Sequence, residues 1–193
     1  LCGFLPGGPA RPKPPLSPAP ALTKVVMGYF PSWNRAAFGH TGIAYQNLTH
    51  IANAFAMPQA DGGLIIPRGY LYPALNAAAH KNRVKVIMSV GGWGNCEGFP
   101  GMASTATNRR RFVTQVVNFC RKNTYDGLDL DWEFVSNDEE RRNFSSLVKE
   151  LSAAFRAQQP PLQLSMASPA GDYYGRWIAF EELVPYFDYI GFM

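Results

Sequence analysis

The chain has 193 residues, of which 47% are hydrophobic and 13% aromatic, and a formal net charge of +4. This composition is typical of a folded globular protein and excludes an intrinsically disordered chain. The charge is mild, the densest basic run (residues 109–111) opens a helical pattern, and no apolar run reaches the ~18 residues that a membrane helix needs. We therefore expect neither nucleic acid nor a membrane as a partner.

The first 22 residues differ in character from the rest of the chain. They are rich in proline and show no sustained apolar periodicity, which predicts an extended leader or linker before a folded catalytic domain over residues 23–193. The sequence does not begin with Met, and a cleaved signal peptide would explain that start. We therefore expect a secreted, extracellular protein.

From residue 24 onwards, short apolar runs alternate with helical patterns. The runs predict six strands, at residues 24–30, 48–56, 84–92, 126–134, 162–169 and 187–193. Two helices are clear from apolar residues at helical spacing, over residues 107–122 and 138–158, and either Ser136 or Asn137 caps the second. Strands that alternate with helices in this way predict the α/β class with a parallel sheet.

A doubly wound sheet and a barrel are both compatible with this alternation. The first strand runs into GYFPSWNRAAFGH, which lacks the GxGxxG fingerprint of dinucleotide-binding folds. The glycines at the end of the third strand, Gly91, Gly92 and Gly94, are interrupted by Trp93, whose bulky side chain does not suit a phosphate-binding loop. We therefore expect no nucleotide cofactor.

The fourth predicted strand, DGLDLDWEF, favours the barrel. Alternation along a strand puts Asp129, Asp131 and Glu133 on one face and apolar side chains on the other. In a (β/α)8 barrel of the TIM type the apolar face packs under the helices, and the acids point inward near the C-terminal end, where such barrels hold their active sites. An edge strand with one solvent-exposed face would also explain the alternation of acidic and apolar residues, but a parallel sheet buries both of its faces.

Several carboxyl groups crowded in a low-dielectric interior cannot all ionise, so at least one pKa should rise. A carboxylic acid that stays protonated near neutral pH can protonate a departing alcohol. Glu133 is the best candidate for this general acid, because it has the longer side chain and lies nearest the open end of the strand. Asp131 would share a proton with Glu133 or orient the substrate, and Asp129 would set the charge state of Asp131.

Other titratable residues predict no metal site. The cysteines at positions 2, 96 and 120 lack CxxC or other metal-ligand spacing, and the three histidines belong to separate elements. The sequence leaves open whether Cys96 and Cys120 form a disulfide or remain two free thiols.

The segment DGLDLDWE resembles the DxxDxDxE signature of glycoside hydrolase family 18, the chitinases and related N-acetylglucosaminidases. SVGGW at residues 89–93 is similar to the family's SxGG motif, and GYF, ANAFA, SMASPA and YIGFM fit its first, second, fifth and sixth strands in order. The resemblance implies a TIM-type barrel that is incomplete, with about six βα units and a truncated C-terminus. It also implies chitin or chitooligosaccharides as the partner and no cofactor.

The resemblance further implies retaining, substrate-assisted hydrolysis of β-1,4-linked N-acetylglucosamine polymers. Glu133 would protonate the glycosidic oxygen, the substrate's acetamide would attack the anomeric carbon, and Asp131, supported by Asp129, would hold the acetamide N–H. The substrate site would also include Tyr29, Phe55, Ser89, Gly92, Trp93, Met166 and Met193. Trp33 and Trp177 would either stack on sugars or pack within the protein.

Two differences from the family's pattern leave alternatives open. The family would continue with a tyrosine and an aspartate shortly after Met193, and with two more βα units. A fragment, a natural truncation and two chains that complete each other's barrel all fit this pattern, and unclosed barrel edges predict self-association. The alternatives to a chitinase are an impaired or lectin-like chain that binds chitooligosaccharides, and a hydrolase of another N-acetylated glycan such as the N-glycan core or peptidoglycan.

Overall fold

The computed structural model describes residues 24–193, and the predicted leader at residues 1–22 lies outside the described residues. Seven strands form one sheet: β1 (Met27–Pro31), β2 (His50–Pro58), β3 (Leu64–Ile65), β4 (Lys85–Gly91), β5 (Gly127–Asp131), β6 (Gln163–Ser168) and β7 (Tyr189–Phe192). Six of them are parallel and neighbour one another in the order β1-β2-β4-β5-β6-β7. The short strand β3 pairs antiparallel with β2.

The sheet is curved, because side chains of strands that are not neighbours meet on its inner face. The hydroxyl of Tyr29 on β1 lies 2.7 Å from a carboxylate oxygen of Asp129 on β5. His50 on β2 hydrogen-bonds Gln163 on β6 at 3.0 Å, and its ring centroid lies 5.0 Å from that of Tyr189 on β7. A flat sheet would hold these strands too far apart for such contacts. The fold is therefore α/β, an incomplete barrel of the TIM type, as the sequence predicts.

The helices pack against the outer face of this sheet. They are α1 (Pro73–Lys81), α2 (Phe99–Ser104), α3 (Ala106–Asn123), α4 (Asp138–Arg156), α5 (Asp172–Gly175) and α6 (Phe180–Leu183). The main core lies between the two layers, where Leu128 and Leu130 of β5 join Phe112 of α3 and Phe144 of α4 in one buried cluster. Trp132 belongs to this cluster and stacks on Phe99 with ring centroids 4.9 Å apart. The apolar face predicted for the fourth strand therefore packs under the helices.

The predicted helices are confirmed to within two residues as α3 and α4. Asn137 is the cap of α4, because its side-chain oxygen accepts the Glu140 backbone N–H at 2.9 Å, whereas Ser136 donates to the Glu140 carboxylate. Each predicted strand overlaps an observed one. The fourth ends at Asp131 rather than at residue 134, so Glu133 lies in a turn just beyond β5. Strand β3 carries too few residues to show a period and is not predicted.

Three side chains fix the register of the parallel pairs where the strands begin. Thr49, Asp126 and Asp188 precede β2, β5 and β7, and each accepts a backbone N–H of the adjacent chain segment at 2.7–2.8 Å. Asp126 alternates out of step with the other acids of its segment, so it is not part of their inward-facing row. Its carboxylate instead binds the backbone where the strand begins. No helix within residues 24–193 is long and apolar enough to cross a membrane.

Within the described chain, β1 pairs only with β2 and β7 only with β6. Beside β1 lies an apolar recess of about 240 Å³, lined among others by Phe30, Phe38 and Ile43. Unpaired parallel edges and an open apolar recess favour association with a second copy.

We expect the apparent mass of the 193-residue chain to rise with concentration in sedimentation experiments. The substitution Phe38→Lys should reduce this association, and a constant monomer mass would contradict the expectation.

Candidate active site

The three acids predicted from the sequence form a graded row at the C-terminal end of β5. Asp129 is 1% exposed and Asp131 3% exposed, whereas Glu133, in the turn after the strand, is half-buried. Of the three carboxyl groups, that of Glu133 is therefore the most accessible from the open end of the sheet.

Asp129 is held by hydroxyl groups from three other strands. Its Oδ2 accepts hydrogen bonds from Tyr29 at 2.7 Å and Ser89 at 3.1 Å, and its Oδ1 accepts one from Ser165 at 2.6 Å. Burial raises the pKa of Asp129, while these three donors oppose the shift because they stabilise the carboxylate. Burial and the nearby charge of Asp129 raise the pKa of Tyr29, so its phenol stays protonated and remains a donor.

Asp131 and Glu133 are neighbouring carboxyl groups that influence each other's pKa. Burial, together with the charges of Asp129 and Glu133, raises the pKa of Asp131 to about 8. A protonated Asp131 can donate to the Glu133 carboxylate, and the backbone N–H of Trp93 lies near the same group. Burial raises the pKa of Glu133 as well, but these two donors hold it down. A pKa of about 8 favours a proton on Asp131 at neutral pH, next to the more exposed Glu133.

One oxygen of Asp131 is left without a partner. Its Oδ1 is buried and accepts no hydrogen bond from any residue in the range 24–193. An unsatisfied buried acceptor is costly, so such an atom beside an open face is suited to receive a donor from a bound molecule.

The glycines at the end of β4 are required by close contacts. Gly91 and Gly92 have φ angles of +109° and +81°. A Cβ on Gly91 would lie 2.1 Å from the Asp131 carbonyl oxygen, and one on Gly92 would lie 2.7 Å from the Phe55 ring. The Gly92 N–H donates to the same Asp131 carbonyl at 2.8 Å. Only glycine lets the end of β4 approach β5 and Phe55 this closely.

Aromatic side chains border the acids at the same end of the sheet. The Trp33 ring stacks on Phe55 with centroids 5.9 Å apart, and Tyr29 lies 6.4 Å from Phe55. Trp33 is 70% exposed and Trp93 79% exposed. Exposed indole faces beside a polar cleft are suited to the apolar faces of sugar rings. Trp177, in contrast, is half-buried and packs against the core.

The structure separates the two predicted methionines. Met166 pairs with Leu130 across β5 and β6 and is buried in the helix-facing core, so its assignment to the substrate site is wrong. The prediction places Met166 on the wrong face of β6, because the inward-facing positions of this strand are those of Gln163 and Ser165. Met193 follows β7 with the parity of Tyr189, on the side of the acids, and is 53% exposed.

Two residues that contact the acids were not predicted. Ser165 lies directly opposite Asp129 in the β5–β6 register, which only the strand pairing reveals. The sulfur of Cys96 accepts the Glu133 backbone N–H at 3.1 Å and lies 3.2 Å from the Asp131 carbonyl oxygen. Burial raises the pKa of Cys96 to about 11, so the thiol stays protonated. Within the described residues Cys96 and Cys120 are both free thiols, so they form no disulfide with each other.

Within residues 24–193, no three His, Cys, Asp or Glu side chains come together in a group that could hold a metal ion.

Comparison with known proteins places these features in a family. The profile of the glycosyl hydrolases family 18 matches residues 25–193. A chitinase-like effector of Moniliophthora roreri is 33% identical over 150 residues, which is 72% of this chain and 37% of the relative. A chitinase-like agglutinin from Robinia pseudoacacia superposes with a TM-score of 0.79 at 28% identity, over 86% of this chain and 54% of that structure.

A chitinase from Cycas revoluta, solved in complex with (GlcNAc)4, gives the same TM-score of 0.79 at 26% identity, again over 86% of this chain and 54% of that structure. The chain therefore spans between about a third and about half of these proteins.

Cys96 offers a test of how the turn at Glu133 is held. In Cys96→Ala the Glu133 N–H loses its acceptor, which should cost about 1 kcal/mol locally and speed hydrogen exchange of that amide roughly fivefold. Cys96→Ser, which keeps an acceptor, should restore slow exchange. Cys120→Ala removes a buried thiol in the core and should leave the Glu133 amide unaffected. Unchanged exchange in Cys96→Ala would mean that the thiol does not position the turn.

Proposed function

Because the chain belongs to glycosyl hydrolases family 18, we propose that it carries the acid–base centre of a chitinase that hydrolyses β-1,4-linked N-acetylglucosamine polymers. The observation that carries this proposal is the graded row of acids at the end of β5, in which the buried Asp131, with its raised pKa, lies beside the more accessible Glu133. In this assignment Glu133 is the general acid and base.

The burial of the other acids supports a nucleophile that is supplied by the substrate. Asp129 is enclosed by three hydroxyl donors and Asp131 is 3% exposed, so neither can reach an anomeric carbon above the sheet. A retaining mechanism with a nucleophile from this row of acids would need a second accessible carboxylate beside Glu133. We propose instead that the substrate's own acetamide oxygen attacks the anomeric carbon, with retention of configuration.

The unpartnered Oδ1 of Asp131 fits the other end of the acetamide. An acetamide N–H that donates to this oxygen would orient the attacking carbonyl and would stabilise the ionised form of Asp131. At the same time a bound sugar would exclude water from Glu133 and raise its pKa. Both effects move the proton from Asp131 to Glu133, where it can protonate the glycosidic oxygen.

We propose that Tyr29, Phe55, Trp93 and Met193 line the sugar site, with Ser89 and Gly92 positioning Asp129 and Phe55. The exposure of Trp33 and Trp93 supports stacking on pyranose rings of a chitooligosaccharide. Since a polymeric substrate does not cross membranes, we also propose that the protein acts outside the cell.

The test is hydrolysis of a fluorogenic N,N'-diacetylchitobioside by the chain and by its Glu133→Gln variant. Loss of the acid should lower the rate at least about a hundredfold, the usual contribution of a general acid. Binding of chitooligosaccharide, measured by calorimetry, should stay within a few-fold of the parent chain. Glu139→Gln, which removes an exposed carboxylate in the first turn of α4, is the matched control and should retain full activity.

Equal turnover in the Glu133→Gln variant and its parent would overturn the assignment of the acid. Saturable binding with no hydrolysis by either chain would favour the lectin-like alternative. Product profiles on chitin, on the N-glycan core and on peptidoglycan would distinguish the third possibility, a hydrolase of another N-acetylated glycan.

A further inference from the structure

The sequence contains two acceptor signals for N-linked glycosylation, Asn47-Leu48-Thr49 and Asn143-Phe144-Ser145. In secreted eukaryotic proteins an asparagine followed two positions later by serine or threonine, with no intervening proline, is the acceptor for this modification. The two signals lie in different structural contexts, and the contexts discriminate between them.

Asn47 is in an exposed turn. It is the last residue of a short 3-10 turn, Tyr45–Asn47, that leads into β2, and its side chain is exposed. The Asn47 amide group makes no hydrogen bond with any other residue in the described part of the chain, so it is free to point into solvent. A glycan attached here would displace no packed side chain, but it would lie at the apolar recess beside β1, which Asn47 helps to line, so the glycosylated chain should self-associate less than the unmodified one.

Asn47 is also remote from the carboxyl pair. It precedes the first residue of β2, whereas the acids lie beyond the last residues of the parallel strands. The extended chain from Asn47 to Phe55, at the border of the acid site, covers roughly 25 Å. An oligosaccharide on Asn47 would therefore leave the acid site accessible.

Asn143 lies in the second turn of α4 and is half-buried. Its neighbours in the signal, Phe144 and Ser145, are 1% and 8% exposed, so a glycan on Asn143 would lie directly beside the face by which α4 packs and would oppose folding. A glycan on Asn143 would have to leave from the side of a packed helix. This signal is the less favourable of the two.

We propose that Asn47 is an N-glycosylation site and that Asn143 is not. Transfer forms a bond between Asn47 Nδ2 and the anomeric carbon of an oligosaccharide carried on a polyprenyl diphosphate. The bond between that carbon and the diphosphate oxygen breaks, the polyprenyl diphosphate leaves, and the amide loses one proton to a base of the transferase. The proposal rests on an extracellular destination of the chain but not on its hydrolytic activity.

The fold also dictates when this transfer happens. In the folded chain the Thr49 hydroxyl accepts the Val26 N–H at 2.8 Å and lies 3.1 Å from the Val26 carbonyl oxygen, which ties β1 to β2. A hydroxyl engaged in this way is not available to a transferase. Transfer to Asn47 therefore precedes the pairing of β1 with β2, during translocation of the nascent chain.

The experiment expresses the 193-residue chain behind a secretion signal in cultured eukaryotic cells. Cell lysate and medium are both analysed by gel mobility and intact mass, before and after peptide-N-glycosidase treatment, so that poor release does not hide a modified chain. We expect one glycan, absent from Asn47→Gln and retained in Asn143→Gln and in Thr49→Ser. After enzymatic removal, a peptide map should show aspartate at position 47.

Two results would overturn the proposal: a chain whose mobility does not change on glycosidase treatment, or a glycan that persists in Asn47→Gln. The timing is tested separately by offering the purified folded chain, made in bacteria, to transferase-containing microsomes. The folded chain should not be modified, whereas the urea-unfolded chain, diluted into the same reaction, should accept the glycan. Modification of both at equal rates would contradict the proposed order of events.

Discussion

The carboxyl group of Asp131 is buried between two other acids. The side chains that surround β5 reduce the free-energy cost of this burial. A buried carboxylate without compensation would destabilise the native state strongly. The chain compensates in two ways. Asp129 receives three hydroxyl donors, which oppose the rise in its pKa that burial causes, and the raised pKa of Asp131 favours its neutral form. The result is a neutral acid beside the more accessible Glu133.

This arrangement makes the site depend on barrel curvature. Tyr29, Ser89 and Ser165 come from β1, β4 and β6, and a sheet that did not curl could not bring Tyr29 from β1 to Asp129. The side chains that pin the strand entries act at the opposite end of the same sheet. They fix the register, and the register decides which side chains face the acids. Local sequence, strand pairing and site chemistry are thus linked through one face of β5.

Much of this could be predicted from alternation along a single strand. The inward direction of Asp129 and Asp131 and the outward direction of Leu128 and Leu130 follow from a period of two. The position of Glu133 in a turn could not be predicted, because the bonds that end the strand there come from Gly92 and Cys96, which are distant in sequence. The wrong assignment of Met166 has a related origin, since parity within β6 depends on its pairing with β5.

The central claim is that Asp131 holds a proton near neutral pH, and carboxyl-carbon NMR titration of the folded chain tests it directly, with Asp131→Asn used to assign the resonance. The pKa raised to about 8 means that the folded chain binds a proton there which the unfolded chain releases at its ordinary, lower pKa. Its contribution to stability is therefore complete below the unfolded pKa and is lost as the pH rises through about 8. We predict that the Asp131 resonance titrates with its main midpoint near pH 8. Titration of Asp131 and Glu133 together in the ordinary range of exposed carboxyl groups, roughly pH 4, would contradict the account.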